Sequence, residues 1–315
     1  MNGTTFARVF SLGLIALFPA LDSWAGKLRP VTLAVVPPGL ISPFHVEVDA
    51  GAREACKKLG VRFLHPTPPR ETDFAEQVRI VEDLITQKVD AISVCAIGNE
   101  SIVPAVKKAN RAGIPFFIHN SLEELPGGKV TAYIGYNQRK GGEMMGRYAA
   151  KLLKDGGKVL ILEGIPGYHT RERKAGFIEG LNLKENTKIS VAGSQPADWE
   201  RSKAMTVTEN FLQREPDLTL VFGCSDEMAL GAAAAAKTHG RKGIHFLGID
   251  GNPNAIEAIQ KGEMTATLGV YPKKMGAITV STMRSHLKGH KVRKFVETPM
   301  EVITKANAET YLKGQ

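Results

Sequence analysis

Asp250 ends an apolar run, Phe246-Leu-Gly-Ile-Asp250, and its carboxylate can accept from two neighbouring hydroxyls. Arg173, in Thr170-Arg-Glu-Arg173, presents a rigid fork of donors suited to ring or hydroxyl oxygens. Phe44, His45 and Trp199 offer flat faces against which the C–H face of a small ring can pack. Asn120 and Ser121 close the run Phe116-Phe-Ile-His-Asn120, and Ser225 and Asp226 follow Leu218-Thr-Leu-Val-Phe222. Each residue also has an ordinary reading. Asp250-Gly251 fits a turn, Arg173 a helix-face ion pair, and Trp199 a core position. Ser225 serves a helix cap as readily as a ligand, and for Asp226 the cap is the preferred reading. Their common place, where apolar runs end and helices begin, favours the joint reading: a site for a small polar molecule.

Bond-making chemistry is not indicated. No GxxxxGK[ST] loop occurs, no GxGxxG follows the first strand, and Gly223-Cys-Ser-Asp-Glu227 fails the GxSxG pattern at its last position. The eight histidines form no HExxH, and His286 and His290 flank Gly289 near a helix end, where a solvated terminus is the expected reading. No nucleophile–base–orienter set stands out, so no catalytic residue, metal or cofactor is expected.

The elements that must carry these residues alternate almost without interruption. Strands are expected at 31–36, 61–64, 91–94, 115–119, 130–135, 158–162, 189–193, 218–222, 244–249 and 265–270. Helices are expected at 46–59, 73–86, 101–112, 137–153, 170–181, 200–214, 228–237, 253–261 and 275–287. In the first helix Val46, Ala50, Ala52, Cys56 and Leu59 are the expected inward positions; in the second, Phe74 is among them. Such alternation means α/β architecture, with parallel sheets covered on both faces. This many strands are better divided between two lobes than held in one sheet.

The chain has 315 residues, 43% of them hydrophobic and 23% charged, with a formal charge of +9. Arg8, the apolar run Val9–Pro19 and Ser23-Trp24-Ala25 read as a secretory signal, with cleavage expected at Ala25-Gly26. That removal deletes Arg8 and Asp22 and leaves the charge unchanged. Lys and Arg are spread along helices without interleaved aromatics, so the basic balance describes a solvated surface, and a nucleic-acid partner is not expected. Cys56, Cys95 and Cys224 form no CxxC pair. Cys56 is expected in the core. Cys95 and Cys224 each end a strand and both can face one cleft, but nothing in the sequence fixes their separation, and a disulfide is disfavoured.

With these residues in view, the mature chain resembles the periplasmic sugar-binding proteins of ABC importers, of the type I fold, the ribose-binding group in particular. The resemblance rests on Ser42-Pro-Phe-His45, Gln195-Pro-Ala-Asp-Trp199, Ser225-Asp-Glu-Met-Ala-Leu-Gly231 and Gly248-Ile-Asp-Gly251 with Pro253. It implies two Rossmann-like lobes joined by three hinge crossings, near Tyr136-Asn137, Val270-Tyr271 and Thr298-Met300. The lobes would be residues 26–136 plus 271–299, and 137–270 plus 300–315, after a signal at 1–25. It further implies ligand contacts at Ser42, Phe44, His45, Cys95, Asn120, Ser121, Arg173, Trp199, Ser225 and Asp250.

Several positions depart from the ribose pattern. His45 replaces a Phe, Ser225 an Asn, Cys95 an Asn, Asn120-Ser121 an Asp-Arg pair, and Val270 a Gln. Losing groups that hold hydroxyls should change specificity, so D-ribose itself is disfavoured against a less hydroxylated or differently shaped sugar, or a polyol. The expectation is a monomeric periplasmic binding protein that passes its ligand to an ABC permease. A receptor subunit for a chemoreceptor or a two-component kinase is the alternative. A LacI-type effector domain would need a DNA-binding segment where the signal lies, and an exported enzyme would need a catalytic set.

Overall fold

The computed structural model describes residue 1 and residues 29–314, so the expected signal at 1–25 lies outside the described residues. From residue 31 onward the chain forms two six-stranded sheets, its elements numbered in chain order. The first sheet holds β1 (Thr32–Val36), β2 (Arg62–Leu64), β3 (Ala91–Val94), β4 (Phe116–His119), β5 (Ala132–Gly135) and β11 (Phe295–Glu297). Its order is β2-β1-β3-β4-β5-β11, parallel throughout. The second holds β6 (Gly157–Glu163), β7 (Ile189–Pro196), β8 (Leu218–Gly223), β9 (His245–Asp250), β10 (Ala266–Gly269) and β12 (Glu301–Ile303). Its order is β7-β6-β8-β9-β10-β12, parallel except for β12. Both sheets reverse direction beside their first strand, at β1/β3 and at β6/β8. In an open parallel sheet this is where ligand crevices form, outside the carboxyl ends.

The helices are α1 (Pro43–Leu59), α2 (Phe74–Thr86), α3 (Asn99–Arg111), α4 (Gln138–Leu152), α5 (Tyr168–Leu181), α6 (Arg201–Arg214), α7 (Asp226–Thr238), α8 (Pro253–Lys261), α9 (Pro272–Leu287) and α10 (Ala308–Lys313). Strand β1 shows why helices cover both faces. Its alternate residues feed different cores, Ala34 and Val36 into one and Leu33 and Val35 into the other. A strand so buried must read as a continuous apolar run. Helix α1 starts earlier than periodicity predicts, because Ser42 precedes it and Pro43 takes its first position. The earlier start turns Phe44, His45 and Val48 inward and leaves Val46 and Leu59 exposed, reversing the expectation for those two. Phe74 is likewise exposed rather than inward.

The chain passes between the sheets three times: from β5 to β6, from β10 to β11 and from β11 to β12. The helix after the first passage, α4, meets α5 at unusually short range. A Cβ on Gly142 would collide with the Arg173 carbonyl, and one on Gly176 with the Arg139 carbonyl. Only glycine permits that approach, and it fixes Arg173 on α5 against the start of α4. Phe177 of α5 stacks on Phe222 of β8, ring centres 3.9 Å apart, anchoring the same helix to its sheet.

Candidate functional site: a cleft between the strand ends of two sheets

The carboxyl ends of both sheets open onto one cleft of about 880 Å³. Nine of the ten expected contacts line it: Ser42, Phe44 and His45 from the β1 side, Cys95 after β3, Asn120 after β4, then Arg173, Trp199, Ser225 and Asp250. Ser121 does not. Asn120 adopts a left-handed conformation, φ 61°, which turns the next side chain away, and the Ser121 hydroxyl accepts the Glu123 amide at 3.1 Å. Cys224 also stays off the wall, and all three cysteines are free thiols.

Arg173 is the most constrained of these groups. Its Nε donates to Gln138 Oε1 at 2.8 Å, Nη1 donates to the Cys224 carbonyl at 2.6 Å, and Nη1 stands 3.5 Å from Asp250 Oδ1. The guanidinium carbon lies 5.4 Å from the Trp199 ring centre and 5.8 Å from that of Tyr136, within cation–π range. Burial pushes the Asp250 carboxyl well above the carboxylate range; Arg173 and the Asp226 backbone amide pull it back. Asp250 sits beside the N-terminus of α7, which favours its ionised form. Asp226, expected as a cap, is a buried brace. It accepts the Asn252 amide at 2.8 Å and the Thr267 hydroxyl at 2.5 Å, while Ser225 caps α7 by accepting from Met228 N at 3.4 Å.

The opposite wall mixes aromatic and neutral groups with the Glu71 carboxyl. His45 lies edge-on to Phe44, ring centres 5.0 Å apart. Burial, helped by the fields of His119, His169 and Arg173, holds it well below the usual imidazole range, so it is neutral. His169 is also pushed down, to about 4, chiefly by burial. Its Nε2 donates to the Asn120 carbonyl at 2.9 Å and so links α5 to the end of β4. Arg171 adds an ion pair to Glu123 at 2.7 Å across the cleft mouth. Asn120 Nδ2 lies 3.9 Å from Cys95 Sγ, and the Asn120 Oδ1 atom is buried without a partner.

Three cleft residues, Asn120, Trp199 and Asp250, are non-glycine residues with positive φ: 61°, 68° and 138°. Such conformations cost on the order of 1–3 kcal/mol each and persist where function needs the side chain aimed. The Trp199 indole lies against Gly164, where any Cβ would occupy the ring's place. Four residues with polar reach into or beside this cleft carry no sequence signal: Glu71, Tyr168, His169 and Gln138. Glu71 stands in a loop, and the others open helices without a recognisable motif. Among the described residues no group of three or more His, Cys, Asp or Glu side chains is placed to hold a metal, and no helix is long and apolar enough to cross a membrane.

Two sheets of one strand order, each presenting its switch point to a shared cleft, define a two-lobed binding protein. Residues 33–291 match the family model described as a periplasmic binding protein domain, and the chain belongs to that family. It is 36% identical over 287 residues to the ribose import binding protein of Bacillus subtilis, covering 90% of this chain and 91% of the relative. A solved solute-binding protein of an ABC transporter from Actinobacillus succinogenes, with bound D-allose, aligns with TM-score 0.84 and 30% identity, covering 89% of this chain and 99% of that one. Another from Bacillus halodurans, with bound myo-inositol, aligns with TM-score 0.84 and 26% identity, covering 92% and 100%.

Proposed function

We propose that this protein captures one sugar-like molecule, a monosaccharide or polyol, between its lobes and delivers it to an ABC importer, without changing it chemically. The observation that carries the reading is the buried Arg173–Asp250 pair facing Trp199 and His45 in one cleft. A fork of donors, a carboxylate and flat faces are what a polyhydroxylated ring needs. The ligands named for the relatives, ribose, D-allose and myo-inositol, are all of this kind. The proposed contacts are Ser42, Phe44, His45, Cys95, Asn120, Arg173, Trp199, Ser225 and Asp250. Cys95 and Asn120 stand where the ribose pattern has an Asn and an Asp, so D-ribose is disfavoured. The mature chain would start near Gly26, with lobes of residues 26–136 plus 271–299 and 137–270 plus 300–315, acting as a monomer in the periplasm.

The test is a thermal-shift screen of the mature protein against pentoses, hexoses, polyols and non-sugar metabolites. A ligand at a hundred times its Kd adds about 2.7 kcal/mol, a shift of several degrees for a chain of this length. A hit among sugars or polyols is expected. A hit only among non-sugars would keep the binding fold and overturn the ligand class.

A further inference from the structure

Glu71 lies in the loop between β2 and α2 and lines the cleft beside His45 and Cys95. Its side chain is 18% exposed. Among the described residues no hydrogen-bond donor reaches its carboxylate. The nearest ion-pair geometry is His45 Nε2 at 4.0 Å, and that ring is neutral. Two further acceptors or ring nitrogens on this wall are buried without partners, Asn120 Oδ1 and His45 Nδ1. Buried polar atoms such as these two are rarely left unsatisfied, and beside a partly exposed carboxyl on the same cleft lining they call for a partner that arrives with the ligand.

The missing partners are mainly hydrogen donors, because a carboxylate and an amide oxygen both accept. An ammonium ion would also donate, but Arg173 faces the same cleft and its field already contributes to keeping His45 uncharged. A second cation is therefore disfavoured, and hydroxyl groups remain. Burial without a compensating cation holds the Glu71 carboxyl at about 7.

We propose that Glu71 contacts the ligand and sets specificity, accepting hydroxyl hydrogens of a neutral polyhydroxylated molecule at the wall opposite Arg173 and Asp250. The inference rests on the sugar-capture reading. It gives the first lobe a carboxylate from a different loop, at a wall where Asn120 stands in place of an acid.

The experiment compares the wild type with Glu71→Gln, Glu71→Ala and the outer-face control Glu82→Gln. Calorimetry uses D-ribose, D-allose and myo-inositol, and then the monodeoxy forms of whichever binds most tightly. At about pH 8.5, where the carboxyl is ionised, Glu71→Ala should raise Kd about 10- to 100-fold, the loss expected for a hydrogen bond to a charged group. One monodeoxy analogue should lose affinity for the wild type and bind the wild type and Glu71→Ala equally, the signature of a direct contact. The ligand-free Glu71→Gln protein should melt at or above the wild-type temperature, since an unpaired, partly buried carboxyl has been removed. Wild-type affinity in both Glu71 variants overturns the inference and leaves sugar capture standing. If none of the three binds, the sugar or polyol that stabilises the wild type in the thermal-shift screen takes their place, and failure of the wild type to bind any sugar or polyol of that panel overturns both.

Discussion

Arg173 Nη1 stands 3.5 Å from Asp250 Oδ1, and the two side chains are each only 5% exposed. A buried pair of this kind is costly to break from one side, because the remaining charge loses its partner in a low-dielectric setting. Arg173→Ala should abolish ligand binding and also lower stability by about 3–5 kcal/mol. Asp250→Asn should abolish binding more cleanly, because Arg173 keeps its bonds to Gln138 and Cys224. Calorimetry and chemical denaturation on the two variants check this. Unchanged ligand affinity in both would remove the pair from the site.

Trp199 is the one tryptophan among the described residues, Trp24 falling in the segment read as a signal. Its indole shares the cleft with Arg173, and a ligand entering there changes the ring's surroundings. Intrinsic fluorescence of the mature protein should therefore shift on ligand addition, and Trp199→Phe should abolish the signal while retaining binding. Trp199→Ala should weaken binding about tenfold without reordering preference among ligands, since a ring face supplies packing rather than hydrogen-bond discrimination. A reordered preference would assign the indole a more specific role.

His119 is wholly buried behind the cleft, with Nδ1 3.0 Å from Ser93 Oγ, and burial pushes it from the ordinary 6.5 down to about 3. The unfolded chain takes up this proton near pH 6.5, whereas the folded protein takes it up near pH 3. Its contribution to stability is thus present above pH 6.5 and is lost as pH falls from 6.5 toward 3, by about 1.4 kcal/mol per unit. Glu71 and Asp226, both raised to about 7, act in the opposite sense, since the folded state holds their protons more tightly. Their opposition masks the histidine in the wild type alone, so the measurement is a difference. The stability gap between wild type and His119→Gln should shrink steadily from pH 6.5 to pH 4. A gap independent of pH would show that His119 is protonated in the folded state.

The β–α alternation was legible because strands buried on both faces, such as Leu218–Gly223, must be continuous apolar runs. β11, β12 and α10 were not, being only three, three and six residues long, too short to show a period. The site divided in the same way. Residues at strand ends, such as Asp250 and Asn120, announced themselves by position. Glu71 did not, because a loop has no period to mark which side chain turns inward. Ser121 misled because the left-handed turn at Asn120 cannot be read from a run of side-chain types.

Gln138 is the residue whose importance the sequence conceals most fully. It is the first residue of α4, just after the chain leaves β5, and it is fully buried. Its Nε2 donates to the Asn120 carbonyl at 3.1 Å, while its Oε1 accepts from Arg173 Nε at 2.8 Å. One side-chain amide therefore ties the end of a first-sheet strand to the guanidinium on α5, where the chain passes from the first sheet toward the second. Gln138→Leu keeps comparable volume but leaves the Arg173 Nε–H buried without an acceptor, a loss of about 1–3 kcal/mol. Because Gln138 is not on the cleft wall, the substitution should leave the order of ligand preference unchanged. It should weaken affinity about tenfold, mainly through faster ligand release as Arg173 loses its fixed aim. Stopped-flow fluorescence of Trp199 would separate the two rates. A variant with wild-type release and wild-type melting would show that the crossing does not depend on this amide.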